Sequence, residues 1–184
     1  PSGEFLSEPH RLMKRSGTTL SDDHDILQYG SCEGCYYFRD AVASMLQTYT
    51  LCKIDPANIY MTNGISQAVL LLSSIYKSKA TYAFVETPTY FLMLRTFEDA
   101  AYKLKTVDLN NLKDFDDQLK IIFEKEAEQY VLAYIIPFHQ NPTGSSFEDI
   151  NDLVDICDKY PNLIVLSDET YQMLSFFGRA SIFP

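Results

Sequence analysis

Apolar positions along this chain follow two rhythms. Short runs rich in β-branched and aromatic residues occupy 59–61, 81–85, 102–107, 131–136 and 163–166. Between them lie longer stretches with apolar residues at helical spacing. In 66–76 these are Ala68, Leu71, Leu72 and Ile75, and in 115–128 they are Leu119, Ile122, Phe123 and Ala127. In 147–160 they are Ile150, Leu153, Val154 and Cys157, with Glu148 and Asp149 suited to the positive N-terminal end of a helix. Strands alternating with helices predict right-handed crossovers and a mostly parallel sheet, an α/β fold. Such a sheet needs cover on both faces, so the expected architecture is a three-layer α/β/α sandwich.

Upstream of residue 58 the pattern changes. Residues 1–25 are polar and weakly periodic, whereas 36–49 read as a helix with Phe38, Val42, Met45 and Leu46 on its apolar side. The expected organisation is an arm or loop segment over 1–35 and a domain from 36 to 184. After the last run only one short aromatic segment remains, so the sheet reads as incomplete at Pro184.

Charge narrows the function classes. The 184 residues carry 15 Lys plus Arg against 25 Asp plus Glu, a formal net charge of -10. No basic cluster offers a surface to nucleic acid or an anionic membrane. The apolar runs are too short to span a bilayer, and residues 1–10 have neither the basic start nor the apolar core of a signal peptide. A cytoplasmic protein is expected. Cys32 and Cys35 form a CxxC, while Cys52 and Cys157 stand alone. With no second ligand pair for zinc and no strand before the motif, the pair reads as two free thiols in a turn.

Ligands of open α/β sheets bind beyond the carboxyl ends of the strands, so the residues just past each run are the place to look for chemistry. After 59–61 comes Thr62-Asn63-Gly64-Ile65-Ser66-Gln67, running into a helix. A turn glycine followed by free amides and a hydroxyl at a helix start makes a phosphate cradle; alone, the same residues are a turn and a cap. After 81–85 comes Glu86-Thr87-Pro88-Thr89-Tyr90, whose tyrosine alone reads as a core aromatic. After 131–136 comes Pro137-Phe138-His139-Gln140-Asn141-Pro142-Thr143-Gly144, a turn on any reading. After 163–166 comes Ser167-Asp168-Glu169-Thr170-Tyr171, an acid at a strand end with a tyrosine three residues on.

These four segments, in this order, resemble the class I/II, fold-type I aminotransferases, which depend on pyridoxal 5'-phosphate (PLP). Leu27-Gln28-Tyr29-Gly30, Gly34 and Phe38-Arg39 resemble the same family's upstream segment. The likeness spans roughly 25–177, and its phrasing is most similar to the aromatic and 2-aminoadipate transaminases. The resemblance implies the N-terminal part of the large PLP-binding domain. It implies that Gly64, Ile65, Ser66 and Gln67 hold the PLP phosphate, and that Tyr90 stacks on the pyridine ring. Asn141 and Tyr171 would bond the ring's phenolic oxygen, and Asp168 would pair with the protonated pyridine nitrogen. Tyr29 would reach the phosphate of a neighbouring subunit, which implies a homodimer.

The resemblance also implies a lysine that carries PLP, in a later Ser-x-x-Lys segment. No lysine follows Lys159, so that residue is expected beyond Pro184, and the 184 residues alone are expected to be inactive. Ile65 departs from the family, which often has a small or hydroxylic residue there. Three function classes remain: a transaminase acting on an amino acid and a 2-oxo acid, with a carbon–sulfur lyase or decarboxylase of the same fold beside it; a non-catalytic PLP-fold fragment; and a transcriptional regulator borrowing the domain. The last would need a winged helix and a basic surface, and neither is visible.

Overall fold

The computed structural model describes residues 29–50, 52–147 and 151–174. The expected arm over 1–25, the Leu27-Gln28 pair and the aromatic tail after 174 lie outside these residues. The chain divides into two compact units between Met61 and Thr62.

In the first unit helix α1 (Tyr36–Thr50) is followed by a 3₁₀ turn at Pro56–Asn58. The α1 segment, expected to open the large domain, groups with this unit. The Arg39 guanidinium ties its parts together, donating to Gly34 O at 3.1 Å and to Pro56 O at 2.7 Å. Gly34 sits at φ +98°, and a Cβ there would come within 2.7 Å of the Met61 side chain, so both backbone and space demand glycine. The strand expected at 59–61 does not form. Ile59 N–H closes the 3₁₀ turn onto Pro56 O, and Met61 N–H bonds Glu33 O, so the run meets a loop and gains no strand ladder. Three apolar residues carry too little periodicity to separate an extended segment from a strand.

The second unit holds the expected alternation: α2 (Gly64–Tyr76), β1 (Ala80–Glu86), α3 (Phe91–Asp99), β2 (Lys103–Val107), α4 (Leu112–Lys125), β3 (Tyr130–Ile135), α5 (Asn151–Lys159) and β4 (Leu163–Ser167). All pairings are parallel, in the order β2-β1-β3-β4. The register aligns Glu86 with Val107 and Ile135 with Ser167, so the carboxyl ends of the strands form one edge.

Alternation along the strands builds a core on each face. Phe84, Val131, Ala133 and Ile135 pack with Phe115, Leu119 and Ile122 of α4 and with Leu153 and Ile156 of α5. Ala83, Val85, Leu132 and Tyr134 point the other way, onto Val69 of α2 and Met93 and Phe97 of α3. The fold is therefore α/β/α, as expected. Each fully buried Phe contributes on the order of 3 kcal/mol through burial. Asp114 with Lys125, and Asp152 with Lys159, set opposite charges at the two ends of α4 and α5, complementing their dipoles.

Since β1 pairs with β2 on one side and β3 on the other, the crossovers leave β1 and β3 in opposite directions. That divergence opens a crevice at the carboxyl edge between them. α2 leads directly into the amino end of β1, so its own N-terminus lies toward the same edge. Among the described residues no helix is long and apolar enough to cross a membrane.

Candidate functional site

Three loops and one helix start converge on the crevice. At the start of α2, Asn63 is the N-cap, yet its side chain makes no capping bond. Instead the Gln67 carboxamide oxygen accepts the Asn63 N–H. Gly64 takes φ +78°, with nothing within 4 Å of where a Cβ would stand. The amides of Gly64, Ile65 and Ser66 are left without intrahelical partners, as the first turn of any helix requires. The Ile65 side chain packs into the core beside Leu72, and Ser66 is exposed. Thus Gly64, Ile65 and Ser66 offer free N–H groups and Ser66 a hydroxyl, while Gln67 braces the turn.

The loops after β1 and β3 are locked to each other. Gln140 is 5% exposed, and its amide nitrogen donates to Pro88 O at 2.6 Å. Its carbonyl oxygen accepts from Thr143 N at 2.9 Å and Thr143 Oγ1 at 2.8 Å. The Thr87–Pro88 and Asn141–Pro142 peptides are both cis. Within this frame Asn141 is half-buried, and among the described residues its side chain makes no hydrogen bond. Tyr90, the N-cap of α3, is half-buried against the α2/α3 core and meets Phe91 edge-on, at 5.5 Å between centroids. Thr89 Oγ1 is buried without a partner.

Asp168 follows β4 and is 5% exposed. Its N–H bonds Ile135 O at 2.8 Å, extending the ladder by one step. Oδ1 accepts from Thr170 N at 3.2 Å and from Thr170 Oγ1 at 2.7 Å. Oδ2 accepts from the Tyr134 hydroxyl at 2.6 Å. Among the described residues no Lys or Arg pairs with it, so hydrogen bonds alone balance this buried group. Tyr171 lies half-buried against the same core, its hydroxyl making no bond among the described residues. Tyr29 is fully exposed and belongs to the other unit.

Glu86, Gln140 and Tyr134 are the residues that sequence reasoning passed over. Glu86 closes β1, is 8% exposed, and accepts Ile136 N–H at 2.6 Å through Oε2. Burial pushes its carboxyl up to about 7, against the opposing pull of bonds from Ile136 N–H and Gln140. It lines a cavity of about 210 Å³ with Asp108, Asn110, Gln140, Ser146 and Phe147. An acid directly after an apolar run and before a proline was a visible signal for Glu86. Tyr134 gave none, because it sits in an unbroken apolar run.

Five of the second unit's lysines stand away from these strand ends. Lys77 Nζ donates to Ala101 O at 2.6 Å, and Lys159 pairs with Asp116 at 2.7 Å. Lys103 and Lys105 lie over the Tyr82 ring from the edge strand β2, and Lys79 immediately precedes the amino end of β1.

The model of the aminotransferase class I and II family matches residues 2–181. The chain is 27% identical over 158 residues to aromatic-amino-acid aminotransferase 1 of Thermococcus litoralis, covering 83% of this chain and 37% of that protein. It is 24% identical over 184 residues to 2-aminoadipate transaminase of Thermus thermophilus, covering 99% and 42%. The crystal structure of Pyrococcus horikoshii kynurenine aminotransferase superposes with a TM-score of 0.67 at 21% identity, over 91% of this chain and 41% of that one. The chain thus spans about two fifths of the length of the relatives it matches.

Proposed function

The chain belongs to the aminotransferase class I and II family, and from that premise we propose that it forms the cofactor-holding part of a PLP-dependent transaminase. That enzyme exchanges an amino group between an amino acid and a 2-oxo acid. The observation that carries the reading is Asp168, a buried acid whose oxygens accept three hydrogen bonds, one short of a carboxylate's capacity of about four.

The donor set fits PLP. Its phosphate matches the free amides of Gly64, Ile65 and Ser66 at the positive end of α2, with open space over Gly64. Its ring nitrogen, when protonated, matches the Asp168 carboxylate, and the polar ends of Asn141 and Tyr171 match its phenolic oxygen. Tyr90 offers a flat half-buried ring against which the pyridine would stack. Bound there, PLP supplies the electron sink for bond breaking at the amino acid's α-carbon. Asp168 holds the proton on the ring nitrogen, and the cradle fixes the ring's position. Lys77 and Lys159 are engaged away from the strand ends and Lys103 and Lys105 lie over Tyr82, so on this reading the lysine that carries PLP is supplied from outside these segments.

The full-length protein is read as a cytoplasmic homodimer, with Tyr29 reaching the partner's phosphate. The exposed apolar residues Leu70, Leu71 and Ile75 of α2 support a covered surface. The donors to try first are aromatic amino acids and 2-aminoadipate. In the full-length protein such a donor should convert PLP to pyridoxamine phosphate, and Asp168→Asn should slow that half-reaction at least about a hundredfold. Rates within a few-fold of each other would remove Asp168 from this role. The 184-residue chain should form no pyridoxamine phosphate above a protein-free control.

A further inference from the structure

The bonds around Asp168 single out a residue that none of the four strand-end motifs contains. We infer that Tyr134 is a positioning residue for the cofactor's ring nitrogen, acting through Asp168. The inference rests on the proposed pairing of that nitrogen with Asp168.

An ionised carboxylate has about four acceptor positions, two on each oxygen. Both positions on Oδ1 are taken by Thr170, through its amide and its hydroxyl. One position on Oδ2 is taken by Tyr134. The remaining position is on Oδ2, so an incoming cationic N–H shares that oxygen with the phenol. Tyr134 therefore decides which lone pair Asp168 presents.

Two opposed effects act on that oxygen. The phenol draws electron density from Oδ2, which weakens the carboxylate's grip on a second donor. It also stabilises the anion and fixes the rotation of a carboxyl group that is only 5% exposed. The second effect outweighs the first here, because no cation among the described residues balances Asp168. Removing one of three donors from a buried carboxylate costs more than sharing an oxygen. Tyr134 is itself fully buried, 0% exposed, and wedged edge-on against Phe97 at 6.4 Å between centroids, so it cannot swing away. Burial and then the bond to Asp168 push its own ionisation far above the ordinary tyrosine value, so it stays a donor.

The test uses the full-length protein and pyridoxamine 5'-phosphate labelled with ¹⁵N in the ring, which binds without a lysine. The ¹⁵N chemical shift reports whether the ring nitrogen carries a proton. In the native protein the nitrogen should be protonated at pH 8. In Tyr134→Phe the protonated fraction should fall by more than half, and Kd should rise roughly ten- to a hundredfold. A Tyr134→Phe variant that melts at a lower temperature but keeps the native ¹⁵N shift would reduce Tyr134 to a packing role and overturn the inference. Asp168→Asn separates the two readings: it should deprotonate the nitrogen, and if it does not, the Asp168 pairing itself fails. Should Tyr134→Phe not fold, the native protein still decides. The downfield proton line of the Tyr134 hydroxyl should move when pyridoxamine phosphate binds and stay put with inorganic phosphate. No movement with either ligand overturns the inference.

Discussion

The two faces of the sheet carry their charges differently. On one face α4 and α5 are amphipathic, with dipole-matched ends and the Lys159–Asp116 pair joining them. On the other, α2 has no charged residue in its first or last turn, and Leu70, Leu71 and Ile75 face outward beside Phe91 and Leu92 at the start of α3. Large apolar residues grouped on the outer side of a helix call for cover. The first face is mostly charged outside, with Ile121 and Val154 among its exposed apolar residues. The second holds the candidate cofactor site at its upper edge and presents an apolar surface below it. The candidate phosphate cradle and the exposed apolar surface share α2, so the proposed site and the proposed interface meet on one helix.

The core offers the largest test of this contrast. Phe97→Ala and Phe115→Ala each remove a fully buried ring, one per face, and each should cost about 3–5 kcal/mol in urea unfolding. Only Phe97 leans on Tyr134, so only Phe97→Ala should also weaken pyridoxamine phosphate binding. Equal losses of binding in both variants would erase the distinction between the faces.

Glu86 gives the next effect, through pH. Its carboxyl is raised in the fold from 4.5 to about 7, so the folded state holds its proton more tightly than the unfolded chain. Below pH 4.5 the carboxyl is neutral in both states and its stability contribution is intact. As pH rises from about 4.5 through 7 that contribution is lost, by roughly 3 kcal/mol. Glu86→Gln should flatten this part of the stability profile and raise stability at pH 8. An unchanged slope between pH 5 and 7 would show that Glu86 is not the group responsible.

Smaller effects belong to the surfaces. Ile75→Glu on α2 should weaken self-association of the full-length protein at least about tenfold, near 1.4 kcal/mol, in sedimentation equilibrium. Unchanged assembly would mean that this side of α2 is not the covered one. Lys159→Ala on the opposite face should leave the urea-unfolding midpoint nearly unchanged, because the pair it breaks is open to water. A clear drop would show that α4 and α5 depend on that bridge for their alignment.

Much of the fold was legible. The runs at 81–85, 102–107, 131–136 and 163–166 became four parallel strands within a residue or two of their expected ends. They are long enough, and closely enough bounded by breakers, for periodicity to speak. The run at 59–61 was too short to do so. The α4 helix begins three residues earlier than its apolar pattern suggested, at Leu112, because Asn111 and not the first core-facing residue starts it.

The site was legible as places more than as partners. Glycine at a helix start, proline and asparagine in turns, and acids after apolar runs are local signals, and they marked Gly64, Pro88, Asn141 and Asp168 without any structure. What the sequence by itself determined is therefore the α/β alternation and the chemistry presented at each strand end, since both depend on neighbours a few residues apart. Only the tertiary structure decided that Tyr134 serves Asp168 across 34 residues, that Glu86 takes the Ile136 amide across 50, and that Gln140 clasps Pro88 across 52. Those pairings are set by strand order and register. A parallel sheet brings together residues whose separation along the chain carries no trace of their meeting.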